Sequence, residues 1–198
     1  LVGAHTADVA IVGGGFTGLS AALELSTRGF SVIVIEAERC GWGASGRNGG
    51  QLINGYSRPL DVLEQRYGTD HASRLASVAL EGANIIRDRV KRYNIECDFV
   101  DGAAATALTA KQMSWFEEQA RIWKRFGHPG MQLVERRGLD DVVRTDRYVG
   151  AMIDPLGGHF HPLNYLLGEA AAIEAAGGLI FEHSRVTRIN SGACPVIE

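Results

Sequence analysis

No apolar run in this chain approaches the ~18 residues that a membrane-spanning helix needs, so no span is expected. Its three cysteines, Cys40, Cys97 and Cys194, have no C-x-x-C spacing and no accompanying paired-histidine pattern. That gives no metal site and suits a reducing compartment, the cytoplasm. An excess of one charge is also missing. The formal net charge is −3 and the pI about 6.1, so neither nucleic acid nor an anionic membrane surface is called for. No Ser-His-Asp order, metal cluster or carboxylate pair stands out, and no linker or repeat marks a domain border. Glycine, by contrast, is abundant. It supplies 25 of 198 residues, roughly twice its usual share of about 7%. The glycines cluster at 13–18, 41–50 and 157–158, which reads as a set of ligand-facing turns.

The first cluster organises the chain. Asp8 to Val12 is a short apolar run that reads as a strand buried on both faces. Gly13, Gly15 and Gly18 then form G-x-G-x-x-G. Gly13 permits the tight turn, Gly15 lets backbone approach a pyrophosphate, and Gly18 lets the next helix pack close to the strand. That helix is predicted from Phe16 to Arg28, with Leu19, Ala22, Leu23 and Ser26 on one face and Gly29 as its stop. The unbonded N–H groups of its first turn, where Phe16 and Thr17 lie, and its positive dipole end suit an anionic diphosphate. A second buried strand, Ser31 to Ile35, ends in Glu36, with seventeen residues between Gly18 and that acid. Such a carboxylate accepts hydrogen bonds from a ribose 2′-hydroxyl and repels a 2′-phosphate, so NADP is disfavoured.

The second cluster follows at once. After Ala37 and Arg39, residues 41 to 50 carry five glycines, too many for a regular helix or strand. Exposed backbone N–H groups in such a loop make anion-binding concavities, and Ser45, Arg47, Asn48 and Gln51 add side-chain donors. The bland alternative is a connecting loop. An NAD-linked dehydrogenase needs no second polar glycine loop after its ribose-binding acid, whereas a longer dinucleotide does.

These stretches carry a resemblance. GGGFTGLSAALEL with its downstream Glu36, then GWGASGRNGGQ, and later DPLGGHFHPLNY at 154–165, resemble the D-amino-acid-oxidase-like FAD-dependent oxidoreductases. Within them the sequence is most similar to the gamma-glutamylputrescine oxidoreductase group. The resemblance implies FAD as cofactor and oxidation of a C–N bond in an amine or amino acid, with oxygen or an electron carrier taking the electrons. It implies a nucleotide site built from Gly13, Gly15, Phe16, Thr17, Gly18, Glu36, Ala37, Arg39, Ala44, Ser45, Arg47, Asn48, Gly49, Gly50 and Gln51, with the backbone of Val186 near the adenine. It also implies a chain that continues well beyond Glu198, so the sequence reads as an N-terminal fragment. The start at Leu1, with a strand almost immediately after, leaves any targeting signal upstream.

The fold class expected is α/β: a Rossmann-like FAD-binding domain of the glutathione-reductase type, with an inserted antiparallel α+β substrate domain. Residues 1–93 are assigned to the first part of the FAD-binding domain, 94–154 to the substrate domain and 155–198 to the second part. In the first part, Pro59 opens a short helix broken by Gly68, and Thr69 or Asp70 caps a longer one. Its stripe of Leu75, Val78, Ala79, Gly82, Ile85, Ile86, Val90 and Tyr93 is expected to face a core. Ile95–Val100 and Ala103–Leu108 read as strands around an Asp101-Gly102 turn. Thr109 to Gln112 is a capping box for an aromatic helix to Phe126. Gln132–Glu135 and Tyr148–Ile153 read as strands, and Asp154 to Gly158 as a turn. His161 is placed at an N-cap with Pro162 at the first helical position. Leu179–Glu182 reads as a third buried strand, and Val186–Ile189 as the start of another.

Catalytic assignments are sparse. In this class the cofactor takes the hydride, so no essential base is required for a neutral amine. Arg47, Asn48 and Gln51 are candidates to border the flavin ring, where a positive charge raises the reduction potential. His159 and His161, one residue apart, form a candidate substrate-side or metal-binding pair; the alternative is one cap and one structural histidine. Two rival functions remain open from residues alone: an NAD-linked dehydrogenase, and a nucleotide-binding module without turnover.

Overall fold

A computed structural model describes residues 3–198. In chain order its elements are β1 (Val9–Val12), α1 (Phe16–Thr27), β2 (Val32–Ile35), β3 (Gln51–Leu52), α2 (Leu60–Tyr67), α3 (Thr69–Arg92), β4 (Val100–Ala107), α4 (Ala110–Arg125), β5 (Gln132–Glu135), β6 (Gly150–His159), α5 (Pro162–Ala175), β7 (Leu179–Phe181), β8 (Ile189–Asn190) and β9 (Val196–Ile197), with 3₁₀ turns at Ala44–Gly46 and Arg136–Asp141. These residues sort into two compact units. One holds the described residues through Gly50, with Arg89–Cys97 and His161–Glu198; the other holds Gln51–Asp88 and Asp98–Phe160.

The first unit is a parallel sheet in the order β1-β2-β7, with Val9 beside Val32 and Ile33 beside Leu179. Helices α1 and α5 supply its core: Leu19, Ala22 and Leu23 meet Val32, Val34, Leu166 and Ile173, all at most 2% exposed. Burying each of the large ones contributes about 1.5–3 kcal/mol. β2 is the most buried strand, with Val32, Ile33 and Val34 inside and Ile35 half-buried, whereas β7, expected to be buried, leaves Leu179 44% exposed. β1 alternates between half-buried and exposed, ending at Val12, 52% exposed. The expectation of a first strand buried on both faces is therefore corrected: its helices pack one side. Helix α5 begins as anticipated, with His161 Nδ1 accepting from Asn164 N–H and Pro162 at the first helical position. The last turn of α3 enters this unit through Arg89, which donates to Glu169 on α5 at 2.7 Å and to Ser20 Oγ on α1 at 2.6 Å. The strand expected from Val186 begins only at Ile189, as β8, and Val186 lies outside regular structure.

The second unit is an antiparallel sheet ordered β3-β6-β4, with β5 also pairing β6. Two sequence expectations are corrected here. Residues 95–108 do not form a hairpin; β4 is one strand, and Gly102, with φ of 89°, is a bulge within it. Asp-Gly serves a bulge as well as a turn, because both need positive φ at glycine. Likewise 154–158 is no turn at a strand end. It lies within β6, where Asp154 pairs Ala103 and Gly158 pairs Asp101, so three residues face Gly102 alone. Pro155 thus stands where no ladder hydrogen bond is needed.

Helix α4 carries the anticipated capping box between Thr109 and Gln112, and buries Phe116, Ile122 and Trp123 while Trp115 stays 50% exposed. On α3 the buried apolar positions are Ala72, Ala76 and Ala83, whereas Val78 and Ile85 are exposed. The rest of the expected stripe, Leu75, Ala79, Gly82, Ile86, Val90 and Tyr93, is half-buried. The carbonyl of Gly68 accepts from Ala72 N–H at its start, the position expected of Thr69 or Asp70. Residues 51–88 fall with this sheet and not with the parallel one, since Gln51 and Leu52 pair with His159 and Gly158 and α2 packs on α4.

Candidate functional site

The turn between β1 and α1 is shaped by backbone that has no room for side chains. Gly13 sits at φ 104° and its N–H donates to Ile35 O at 2.8 Å. A Cβ on Gly18 would lie 2.0 Å from Gly13 O, one on Gly15 2.9 Å from Ser45 Oγ, and one on Gly14 2.8 Å from Cys40 Sγ. Gly14 escaped the sequence reading, which followed the G-x-G-x-x-G spacing; its constraint comes from a residue 26 positions away.

Glu36 leaves β2 beside that turn. Its Oε2 accepts from Gly14 N–H at 2.6 Å and its Oε1 from Glu38 N–H at 2.9 Å. The half-buried carboxylate is therefore fixed in orientation, with lone pairs left over to accept from a diol. Ser45 Oγ accepts from Phe16 N–H at 3.0 Å, at the N-terminal end of α1. The hydroxyl proton remains available to an anion, beside first-turn N–H groups that a helix leaves unbonded. Thr17, exposed, is on that turn.

Around this centre the loop braces itself. Gly41 N–H donates to Gly14 O at 2.9 Å, and Cys40 N–H to Glu182 Oε1 at 2.8 Å, a carboxylate not singled out from sequence. Asn48 Nδ2 donates to the carbonyls of Ala44 and Ser45, while its Oδ1 accepts from Gly50 N–H. Arg47 Nε donates to Trp42 O, and its guanidinium lies 4.5 Å from the Trp42 ring centroid. Gly49, Arg39 and Ala44 are exposed, and Ala37 half-buried. Two residues before Val186, Ser184 N–H donates to Glu36 O at 2.9 Å, so that segment runs beside the acid.

Several glycines are not ligand-facing. A Cβ on Gly46 would meet Gly41 O at 2.3 Å and one on Gly41 would meet Leu163 Cδ1 at 2.9 Å, so these two let the loop fold and pack on α5. Gly157 and Gly158 would strike Ala103 Cβ and Val100 O, so they serve strand pairing. Gln51 is the first residue of β3, in the second unit. His159, exposed, ends β6; His161 is the cap of α5 and accepts through Nδ1. Among the described residues, no set of three His, Cys, Asp or Glu is placed to hold a metal ion.

The glycine turn held to Ile35 O by Gly13 N–H, the oriented Glu36 carboxylate at the next strand end and the Ser45 hydroxyl at the helix terminus lie together in the unit of the parallel sheet. The residues present fit a nucleotide diphosphate with a free ribose diol. Comparison with known proteins gives the class. The family described as "FAD dependent oxidoreductase" matches residues 8–197, and the chain belongs to that family. FAD is its cofactor. Over 184 residues it is 51% identical to the gamma-glutamylputrescine oxidoreductase of Escherichia coli (strain K12), covering 93% of this chain and 43% of that protein. The crystal structure of glycine oxidase from Geobacillus kaustophilus superposes with a TM-score of 0.74 at 27% identity, over 98% of this chain and 51% of that one. The L-amino acid deaminase from Proteus myxofaciens shares the fold, with a TM-score of 0.80 at 19% identity, over 97% of this chain and 42% of that one. The chain thus spans about half, or less, of the length of these relatives. No helix among the described residues is long and apolar enough to cross a membrane.

Proposed function

We propose that the protein oxidises a C–N bond of a small amine or amino acid, with this chain supplying the FAD cradle. The observation that carries the reading is the Glu36 carboxylate, fixed by two backbone N–H groups beside the Gly13–Gly18 turn. The substrate class is supported by the names of its relatives, an oxidoreductase of gamma-glutamylputrescine and a glycine oxidase. An NAD-linked dehydrogenase is set aside with the family assignment.

When bound, FAD supplies the hydride acceptor for amine oxidation. The chain's own residues do the rest of what is proposed here. Glu36 accepts from the ribose hydroxyls, with Ala37, Arg39 and the Val186 backbone at the adenosine end. Gly13, Gly15 and Gly18 keep side chains out of the diphosphate's path, while the Thr17 N–H in the first helical turn and the Ser45 hydroxyl, which the Phe16 N–H holds in place, donate to it. Ala44, Arg47, Asn48, Gly49, Gly50 and Gln51 hold the ring end. Asn48 does so by keeping the loop in shape, and the guanidinium of Arg47 places positive charge there. The antiparallel unit is proposed as part of the substrate domain, inserted into the nucleotide-binding one. His161 is occupied as a cap, which leaves His159 as the weaker of the catalytic candidates.

The test is direct. The purified protein should show flavin absorption bands, and amines from a panel of polyamines and N-alkyl amino acids should bleach them anaerobically. A colourless protein with no affinity for added FAD would overturn the proposal.

A further inference from the structure

We propose that the second unit contains a binding site of its own, a cavity that takes an uncharged aromatic carboxamide. The cavity, about 620 Å³, opens between the antiparallel sheet and α4, within the range of about 300–1,000 Å³ that accommodates small ligands. Trp115, Phe116 and Trp123 of α4 form its aromatic walls, Met152 of β6 lines it too, and Gln119 stands among the aromatics.

Gln119 falls three residues after Phe116 and four before Trp123, on the stripe by which α4 packs. It is 5% exposed. A side-chain amide so buried is normally hydrogen-bonded, because leaving the bond unmade is costly. Gln119 makes no side-chain hydrogen bond to a described residue. Unlike Asn54 Oδ1, its amide atoms are not sealed from the surface, so what exposure they keep is into the cavity.

The other polar groups around the cavity are accounted for. Asp154 already accepts from Asn54 Nδ2, Leu156 N–H and His128 Nε2. Tyr56 donates its hydroxyl to Leu75 O at 2.8 Å. Ser57 and Arg58 are exposed, where solvent and salt screen the charge. Recognition inside the cavity therefore rests on one amide, which offers N–H donors beside a carbonyl acceptor. A ligand that engages both must itself set a donor beside an acceptor, as a carboxamide does. A carboxylate only accepts and an ammonium only donates. With no free countercharge inside, burial selects a neutral group. The indole walls supply the remaining selectivity, since a planar ring packs on them offset or edge-on. A glutamine that is merely hydrated needs no such surround, and a wholly apolar guest leaves the amide unpaired.

The flavin-loaded protein, ¹⁵N-labelled at its tryptophans, is titrated with benzamide, toluene and benzoate while flavin absorbance is followed. Trp115 and Trp123 line the cavity, and Trp42, in the other unit, is the control. Benzamide should shift the indole resonances of Trp115 and Trp123 and leave Trp42 and the flavin bands in place. Toluene and benzoate, which lack the amide, should bind there at least about tenfold more weakly. Gln119→Leu should weaken benzamide about tenfold and not weaken toluene. Its Tm should equal or exceed the parent's, because Gln119 bonds to nothing in the fold. A lower Tm with unchanged benzamide affinity makes the glutamine structural and overturns the proposal. Trp115→Ala, read at Trp123, should weaken benzamide about threefold or more. Equal binding of toluene or tighter binding of benzoate at the cavity indoles also overturns it. So do flavin bands that move while Trp115 and Trp123 stay silent, which puts the ligand at the oxidative site instead.

Discussion

Gly14 N–H donates to Glu36 Oε2 across 2.6 Å, joining the glycine turn to the acid at the end of the neighbouring strand. The bond fixes the carboxylate before any ligand arrives, so little side-chain entropy is lost on binding. Glu36→Gln keeps the shape but replaces one charged acceptor oxygen with an amide. FAD affinity should fall about tenfold to a hundredfold, since hydrogen bonds to charged groups contribute about 1.5–3 kcal/mol. Flavin fluorescence quenching on reconstitution measures it; unchanged affinity removes Glu36 from the site.

The glycines differ sharply in what they tolerate. Gly18→Ala drives a methyl group to 2.0 Å from a backbone oxygen, where no rotamer change gives relief. The first βα turn must open, and the variant should fail to accumulate folded or lose several degrees in Tm. Gly43→Ala, with nothing within 4 Å of the new Cβ, should stay within about 0.5 kcal/mol of the parent. Equal thermal midpoints for the two variants would refute this reading of the turn.

Arg89 is the countercharge of Glu169, which is 1% exposed. Burial raises the Glu169 carboxyl above its ordinary 4.5, and Arg89 opposes that rise. Removing the cation by Arg89→Met should cost about 3–5 kcal/mol. The sign with pH follows from linkage. A carboxyl with a raised folded-state pKa holds its proton longer in the folded chain, so its contribution declines as pH climbs from about 4.5. Arg89→Met should therefore lose stability more steeply than the parent between pH 5 and 8 in denaturant titrations, and Arg89→Met/Glu169→Gln should regain a flat profile.

Thiol chemistry should separate two cysteines. Cys40 is 5% exposed, and burial, then the nearby Glu182 and Glu36 charges, push its thiol up to about 12. Cys194 is exposed. Iodoacetamide at pH 8 should label Cys194 in the folded protein and reach Cys40 only after unfolding, read by peptide mass spectrometry. Early labelling of Cys40 would show that the loop over Gly14 opens.

Sequence alone determined the nucleotide half well, because each element there is specified by neighbours in the chain. The Val9–Val12 run, the Gly13–Gly18 spacing, Glu36 and the His161-Pro162 helix start are local signals there, as the Thr109–Gln112 box is in the second unit. Tertiary structure decided what depends on distant partners. Gly14 is constrained by Cys40, Gly41 by Leu163 and Cys40 N–H by Glu182, contacts that no spacing rule encodes. The bulge that turned an apparent hairpin and an apparent turn into β4 and β6 arises because cross-strand register, not local propensity, sets which residues go unpaired. The Asn54–Asp154 hydrogen bond is the extreme case: its partners stand 100 residues apart and meet only once the sheet has formed.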